Sequence, residues 1–257
     1  WRWSLVCQPT LGAPSALGLP PQGSPMPPPD VTHPVKRKTI ASAEIIFFAY
    51  TCIRKGPFMN KTTETDKPDL PAGLYIIATP IGNIGDITLR ALETLGKVDL
   101  IACEDTRVSG KLLSHYDLGA EKVPYHDHNA DKMRPKLIAA IEAGKRVALI
   151  SDAGMPLISD PGYKLVQECV SRGLAVTCAP GASASLTALV LSGLPAERFF
   201  FAGFLPPKSA ARKSALNEIR QVPGALVFYE TAPRLAESLA DMREVLGDRK
   251  STRLNSR

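Results

Sequence analysis

Between Leu74 and Leu246, short apolar runs alternate with stretches whose apolar residues recur at helical spacing, and this alternation limits the possible folds most. Leu74–Ala78 (LYIIA), Val98–Cys103 (VDLIAC), Val123–His126, Arg146–Ile150 (RVALI) and Leu174–Cys178 read as strands, because apolar runs of this length suit buried extended chain. Helices are expected between them. One has Asp86 as its N-cap and Ile87, Ala91 and Leu95 on one face, with Gly96 as its stop. Val108–His115 is a short helix, and a longer one carries Met133, Leu137 and Ile141, with Pro135 blurring its start. A further helix takes Asp160 as N-cap and Pro161 as its first residue, turns Leu165, Val166 and Cys169 inward and ends at Gly173. Strands returned to one sheet by crossover helices give a parallel, doubly wound sheet. Pro195 interrupts the series, and a second one follows: strand Phe199–Phe204, helix Ser209–Ile219, strand Ala225–Tyr229 and helix Pro233–Leu246. The fold class expected is α/β, with a first domain (71–194) built on a mostly parallel sheet and a second α/β domain (195–247) that is incomplete.

The ends of the chain differ from this middle. Hydrophobic residues at 44% and charged residues at 22% are ordinary globular usage, which excludes collagen, coiled coil and disulfide-knot classes. Net charge is +6, but residues 1–58 contribute +4, residues 248–257 contribute +3, and residues 59–247 stand at −1. Charge therefore gives no warrant for calling the patterned part a nucleic-acid binder. Residues 1–58 hold ten of the 23 prolines and no lasting hydrophobic period. The apolar patch 40–53, after Lys36-Arg37-Lys38, reads as a short signal-like core or as translated sequence upstream of Met59, and the second reading is taken. It is too short to span a membrane and contains Glu44. Residues 1–70 are thus expected to be a disordered or non-native leader, and 248–257 (DRKSTRLNSR) a non-native tail. The five cysteines are widely spaced with no CxxC pair, which argues against a zinc site or disulfide framework and for a reducing compartment such as the cytoplasm.

In open α/β sheets ligands bind beyond the carboxyl ends of the strands. The loops expected there are TPIGNIGD (Thr79–Asp86), EDTR (Glu104–Arg107), SDAGMPLISDPG (Ser151–Gly162) and APGASAS (Ala179–Ser185). Any one of them is accounted for by a tight βα turn with a helix cap. Four on one sheet edge point to a nucleotide-like ligand. The first, third and fourth contain no Lys or Arg, and no GxGxxG or GxxxxGK[ST] occurs, so a phosphate-rich ligand is disfavoured and a nucleoside with a cationic part fits better.

LYIIATPIGNIGDITLRALETL, ACEDTR, SDAGMPLISDPG, APGASAS, FFFAGFLP and VFYET, in this order over roughly Gly73 to Leu246, resemble the ribosomal RNA small subunit methyltransferase I family of the tetrapyrrole-methylase superfamily. The resemblance implies a two-domain tetrapyrrole-methylase-like fold and S-adenosylmethionine as methyl donor. It also implies methylation of a cytidine ribose 2′-oxygen in 16S rRNA of the small ribosomal subunit, in the cytoplasm, by a homodimer with no membrane association. Carried onto this sequence, the donor site comprises Pro80, Ile81, Gly82, Asp152, Ala153, Gly154, Met155, Ser183 and Ala184, with Phe204 and Leu205 from the second domain. The sequence departs from the family at Ala232-Pro233-Arg234, where Pro-His-Arg is usual, and lacks its C-terminal segment.

For the chemistry, Glu104, Asp105 and His126 are the polar groups expected at the acceptor, with Asp105 or His126 assisting proton removal. Asp105 and Arg107 can equally form a helix cap with an internal ion pair. His126 and His128 at i and i+2 are a weak metal pattern, and no metal is expected. Arg107, Lys111, Lys208, Arg212 and Lys213 are the expected RNA contacts, the last three within KSAARK, against the plain reading of a solvated helix face. Two rival functions use the same motifs: a small-molecule tetrapyrrole methylase, and a non-enzymatic RNA-binding assembly factor.

Overall fold

The computed structural model describes residues 3–8, 70–247 and 249–255. Its elements are β1 (Trp3–Gln8), β2 (Gly73–Ile77), α1 (Leu89–Leu95), β3 (Leu100–Cys103), α2 (Thr106–His115), β4 (Glu121–Pro124), α3 (Ala130–Glu142), β5 (Arg146–Ile150), α4 (Tyr163–Ser171), β6 (Val176–Ala179), α5 (Ala184–Leu191), β7 (Phe199–Phe204), α6 (Ser209–Ile219), β8 (Ala225–Glu230), α7 (Leu235–Leu246) and β9 (Lys250–Asn255). Short 3₁₀ turns stand at Ile84–Asp86 and Ala232–Arg234.

Strands β2 to β6 form one sheet in the order β4-β3-β5-β2-β6, every pair parallel. All five residues of β2 are buried, as a parallel strand covered on both faces requires. Tyr75 and Ile77 face a core with Ala91, Leu95, Ile101 and Leu113, while Leu74 and Ile76 face Leu137, Ile138, Leu149 and Leu165. Each such Leu or Ile contributes about 1.5–3 kcal/mol by leaving water. The chain from β2 passes over β5 to reach β3, whereas the chain from β5 passes over β2 to reach β6. Their helices α1 and α4 pack on opposite faces. Loops leaving adjacent strands towards opposite faces open a crevice at the carboxyl edge.

The second sheet runs β7-β8-β1-β9, with β7 and β8 parallel and the other pairs antiparallel. The segments 3–8 and 250–255, which the sequence reading sets aside as leader and tail, form half of it: β1 lies inside the sheet between β8 and β9, and β9 is its edge. The apolar patch 40–53 and the start at Met59 lie outside the described residues. Leu216, Phe228, Met242 and Val245 fill one face of this sheet, and Ala188 and Leu189 of α5 pack with Ala225 and Val227 on the other.

Several local expectations shift. Thr88, not Asp86, caps α1, its hydroxyl accepting from Ala91 N at 3.1 Å. Gly162, not Asp160, is the N-cap of α4, at φ +138, and a Cβ there would come within 2.7 Å of Leu149 Cδ2. Helix α5 is absent from the sequence reading because its segment ASLTALVL is apolar nearly all round and shows no period.

Candidate donor and acceptor site

The loops after β2 and β5 are joined backbone to backbone. Thr79 N donates to Gly154 O at 2.9 Å, and Gly154 N donates to Thr79 O at 3.1 Å. Thr79 Oγ1 adds a bond to Ser151 O at 3.0 Å, and Ser151 Oγ donates to Gly154 O at 3.1 Å. Both hydroxyls are buried, so each bond also satisfies a group that would otherwise be stranded. Gly154 adopts φ +86, where a side chain is strained. A Cβ on it would lie 3.3 Å from Ile81 Cγ2 and 3.6 Å from Ala182 O, so the loop after β6 meets the other two at this glycine. Gly181 closes equally tightly on the end of β2: a Cβ would stand 2.9 Å from that of Ala78. Ile81, Gly154 and Ala182 are thus gathered at one place on the sheet edge.

The remainder of the loop after β5 carries more strain. Leu157 and Ser159 both have positive φ, at 71° and 64°. Non-glycine residues in this region are uncommon and mark segments over-determined by their surroundings. Ser159 is met by Gly203 of β7, whose absent Cβ would lie 3.1 Å from Ser159 Oγ. Gly203 itself stands at φ +64 beside a register shift in the β7–β8 pairing. The next residues, Phe204 and Leu205, differ in character. Phe204 is exposed with its ring 5.5 Å from that of Tyr229, and Leu205 is buried.

Asp152 reaches across to the neighbouring strand end, accepting from Asp105 N at 3.1 Å. Asp105 in turn caps α2 through Arg107 N at 2.8 Å, and its carboxylate takes the Arg107 guanidinium at 3.1 Å (Nε) and 2.7 Å (Nη2). Those bonds hold the Asp105 carboxyl down at about 2. A carboxylate so held binds protons weakly, and its geometry is that of a cap and ion pair. Glu104 is half-buried beside it. His126 lies just past β4, its backbone N donating to Asn129 Oδ1 at 2.9 Å. Its Nδ1 is buried without a hydrogen-bond partner among the described residues. The His128 ring sits 6.0 Å away, edge-on. No group of three or more His, Cys, Asp or Glu among the described residues is placed to hold a metal ion. Also among these residues, no helix is long and apolar enough to cross a membrane.

The basic cluster requires a correction. Arg212 is 1% exposed: Nε donates to Asp241 Oδ2 at 2.7 Å and Nη1 to Pro207 O at 3.1 Å. Burial alone would raise the Asp241 carboxyl, but hydrogen bonds from Arg212 and Ser209 outweigh it and keep the group below its usual range. Lys213 is half-buried and bonded to Glu244 at 2.6 Å. Arg212 therefore cannot meet an RNA phosphate, and Lys213 is already engaged. The sequence reading missed this because both partners lie on α7, some thirty positions along the chain. Lys208, Arg107 and Lys111 are exposed. Reasoning from the sequence also missed the joining roles of Thr79 and Ser151, whose only signal was a hydroxyl residue directly after each of two adjacent strands.

Residues 73–252 match the family of Tetrapyrrole (Corrin/Porphyrin) Methylases. The chain is 55% identical over 185 residues to the ribosomal RNA small subunit methyltransferase I of Mesorhizobium japonicum, a match covering 72% of this chain and 63% of that protein. It is 52% identical over 180 residues to the protein of the same name from Haemophilus influenzae, covering 70% and 64%. The chain thus spans a little under two thirds of the length of these curated relatives. Among solved structures, that of a diphthine synthase superposes with a TM-score of 0.53 at 15% identity, covering 70% of this chain and 80% of the other, which is a likeness of fold. With the all-parallel sheet, the joined glycine loops and a match over most of its patterned length, this chain belongs to the tetrapyrrole (corrin/porphyrin) methylase family.

Proposed function

We propose that the chain takes S-adenosylmethionine as methyl donor and methylates a cytidine ribose 2′-oxygen in 16S rRNA of the small ribosomal subunit. The observation that carries this is the meeting of three loops at Gly154, with Ile81 on one side and Ala182 on the other. Those loops contain no Lys or Arg, so they suit a nucleoside bearing a sulfonium and not a triphosphate. The names of the relatives supply the substrate class.

In this reading Pro80, Ile81, Gly82, Asp152, Ala153, Gly154, Met155, Ser183 and Ala184 hold the donor, with Phe204 and Leu205 closing over it from the second sheet. The donor supplies an electrophilic methyl on a good leaving group, so alignment accounts for much of the rate. Asp152 keeps the β5 loop in register with β3 through Asp105 N. Asp105 keeps Arg107 folded back on α2, and Arg107, Lys111 and Lys208 meet RNA phosphates. His126 accepts the proton of the 2′-hydroxyl; Glu104 is the second candidate for that part. The domains divide the work as 71–194 for the donor and 195–247 for closure. A homodimer fits the exposed Leu186, Val190 and Leu191 on α5, an apolar stripe that needs cover, and the widely spaced cysteines suit the cytoplasm.

The engagement of Arg212 and Lys213 favours one second reading, a small-molecule tetrapyrrole methylase with the same donor site. The test is transfer of a radiolabelled methyl group by the chain to purified small ribosomal subunits and, in a parallel assay, to a tetrapyrrole. Label on a cytidine ribose is expected. Label on a base overturns the regiochemistry, and label on a tetrapyrrole alone supports the second reading. RNA binding without any transfer supports an assembly factor.

A further inference from the structure

Beyond the donor loops, the second sheet holds a buried polar network that none of the roles above uses. β8 ends on Glu230, which is 1% exposed. Its carboxylate accepts from Thr231 N at 2.8 Å and from the fully buried Ser238 Oγ at 2.5 Å. Arg234 Nη2 stands 3.4 Å from Glu230 Oε2 and donates to Leu205 O at 2.7 Å. The Ala232–Arg234 turn fixes where the arginine starts, with Arg234 N donating to Thr231 O at 3.1 Å.

Leu205 directly follows Phe204, and Gly203 before it abuts Ser159 of the β5 loop. The network is therefore continuous from Glu230 through Arg234 to the end of β7, and from there to the loop that carries Asp152 and Gly154. We infer that Arg234, aimed by Glu230, is a positioning residue that sets the Phe204–Leu205 turn against the donor-binding loop. This rests on the donor reading given above and names how the second sheet acts on that site. Arg234 Nε is buried with no partner among the described residues, so the guanidinium is not fully used by the fold itself.

The alternative is a buried pair that only stabilises the second sheet, and three readouts on the full chain separate the two. Arg234→Met keeps the apolar stem and removes the guanidinium. It is expected to raise the dissociation constant for S-adenosylmethionine about tenfold in calorimetry, the size of one charged hydrogen bond, at a temperature where the variant is folded. Amide exchange is expected to quicken at Gly203, Phe204, Leu205 and Ser159, with β8 unchanged. Arg234→Lys, which restores a charged donor, is expected to recover most of the affinity. Should Arg234→Met not fold, Ser238→Ala removes one anchor of Glu230 and is expected to shift affinity and exchange the same way, more weakly. A lowered melting temperature with unchanged donor affinity and unchanged local exchange overturns the inference. If the unaltered chain binds no donor, the donor reading fails instead, and amide exchange at Gly203–Leu205 alone decides whether Arg234 positions the turn.

Discussion

Thr79 and Gly154 exchange both backbone hydrogen bonds, at 2.9 and 3.1 Å, so that the loops leaving β2 and β5 move as one piece. The exchange depends on Gly154 holding φ +86 with nothing between it and Ile81. Gly154→Ala places a methyl 3.3 Å from Ile81 Cγ2 at a strained backbone angle, and should cost about 1–3 kcal/mol. Urea unfolding measures that loss. Donor affinity measured on the folded fraction should fall with it, because Ile81 must give way.

The Arg212–Asp241 pair makes a prediction opposite to the one its sequence context suggests. Arg212→Ala leaves the nearly buried Asp241 carboxylate with only Ser209 at 3.0 Å and Lys213 at 3.6 Å, and should destabilise by about 1–3 kcal/mol in chemical denaturation. At salt concentrations where the variant is folded, the salt dependence of RNA association should not change. Lys208→Ala should do the reverse, leaving stability alone and reducing the salt slope by about 0.7–1.

Acid sensitivity follows from two depressed carboxyls. The hydrogen bonds of Arg107 hold Asp105 at about 2, and those of Arg146 do the same for Asp99. Both ordinarily titrate at 3.8, so the stability they add is present above that pH and is lost as pH falls from there through about 2. Asp99→Asn should therefore lower stability at pH 6 and reduce the further loss between pH 4 and pH 2, followed by urea midpoints across that range.

At the acceptor, His126→Ala should lower kcat by roughly 10²–10⁴ if the imidazole takes the 2′-hydroxyl proton. His128→Ala should leave kcat close to unchanged, since its exposed ring only meets that of His126 edge-on. Single-turnover methyl transfer compares the two directly.

The parallel sheet was legible because β2, β3 and β5 are apolar runs buried along nearly all their length, and the glycine loops were legible by their composition. Helix α5 was not, since a helix buried on one sheet and apolar on its other side loses the period that reveals amphipathic helices. Caps were misplaced by a few residues for a common reason: Asp86 and Asp160 look like caps, yet Thr88 and Gly162 have the backbone geometry the entering chain needs. Arg212 shows the deeper difficulty. Whether a cation in a charge run meets solvent or Asp241 depends on how α6 packs on α7, which local sequence does not encode.

Calorimetry of the full chain with S-adenosylmethionine, set beside ATP, tests the central claim that three loops meeting at Gly154 form a site for a phosphate-free nucleoside. The account predicts binding of S-adenosylmethionine and of S-adenosylhomocysteine, no competition from ATP, and weaker binding in Gly154→Ala. Absence of S-adenosylmethionine binding, or its displacement by ATP, would contradict the account.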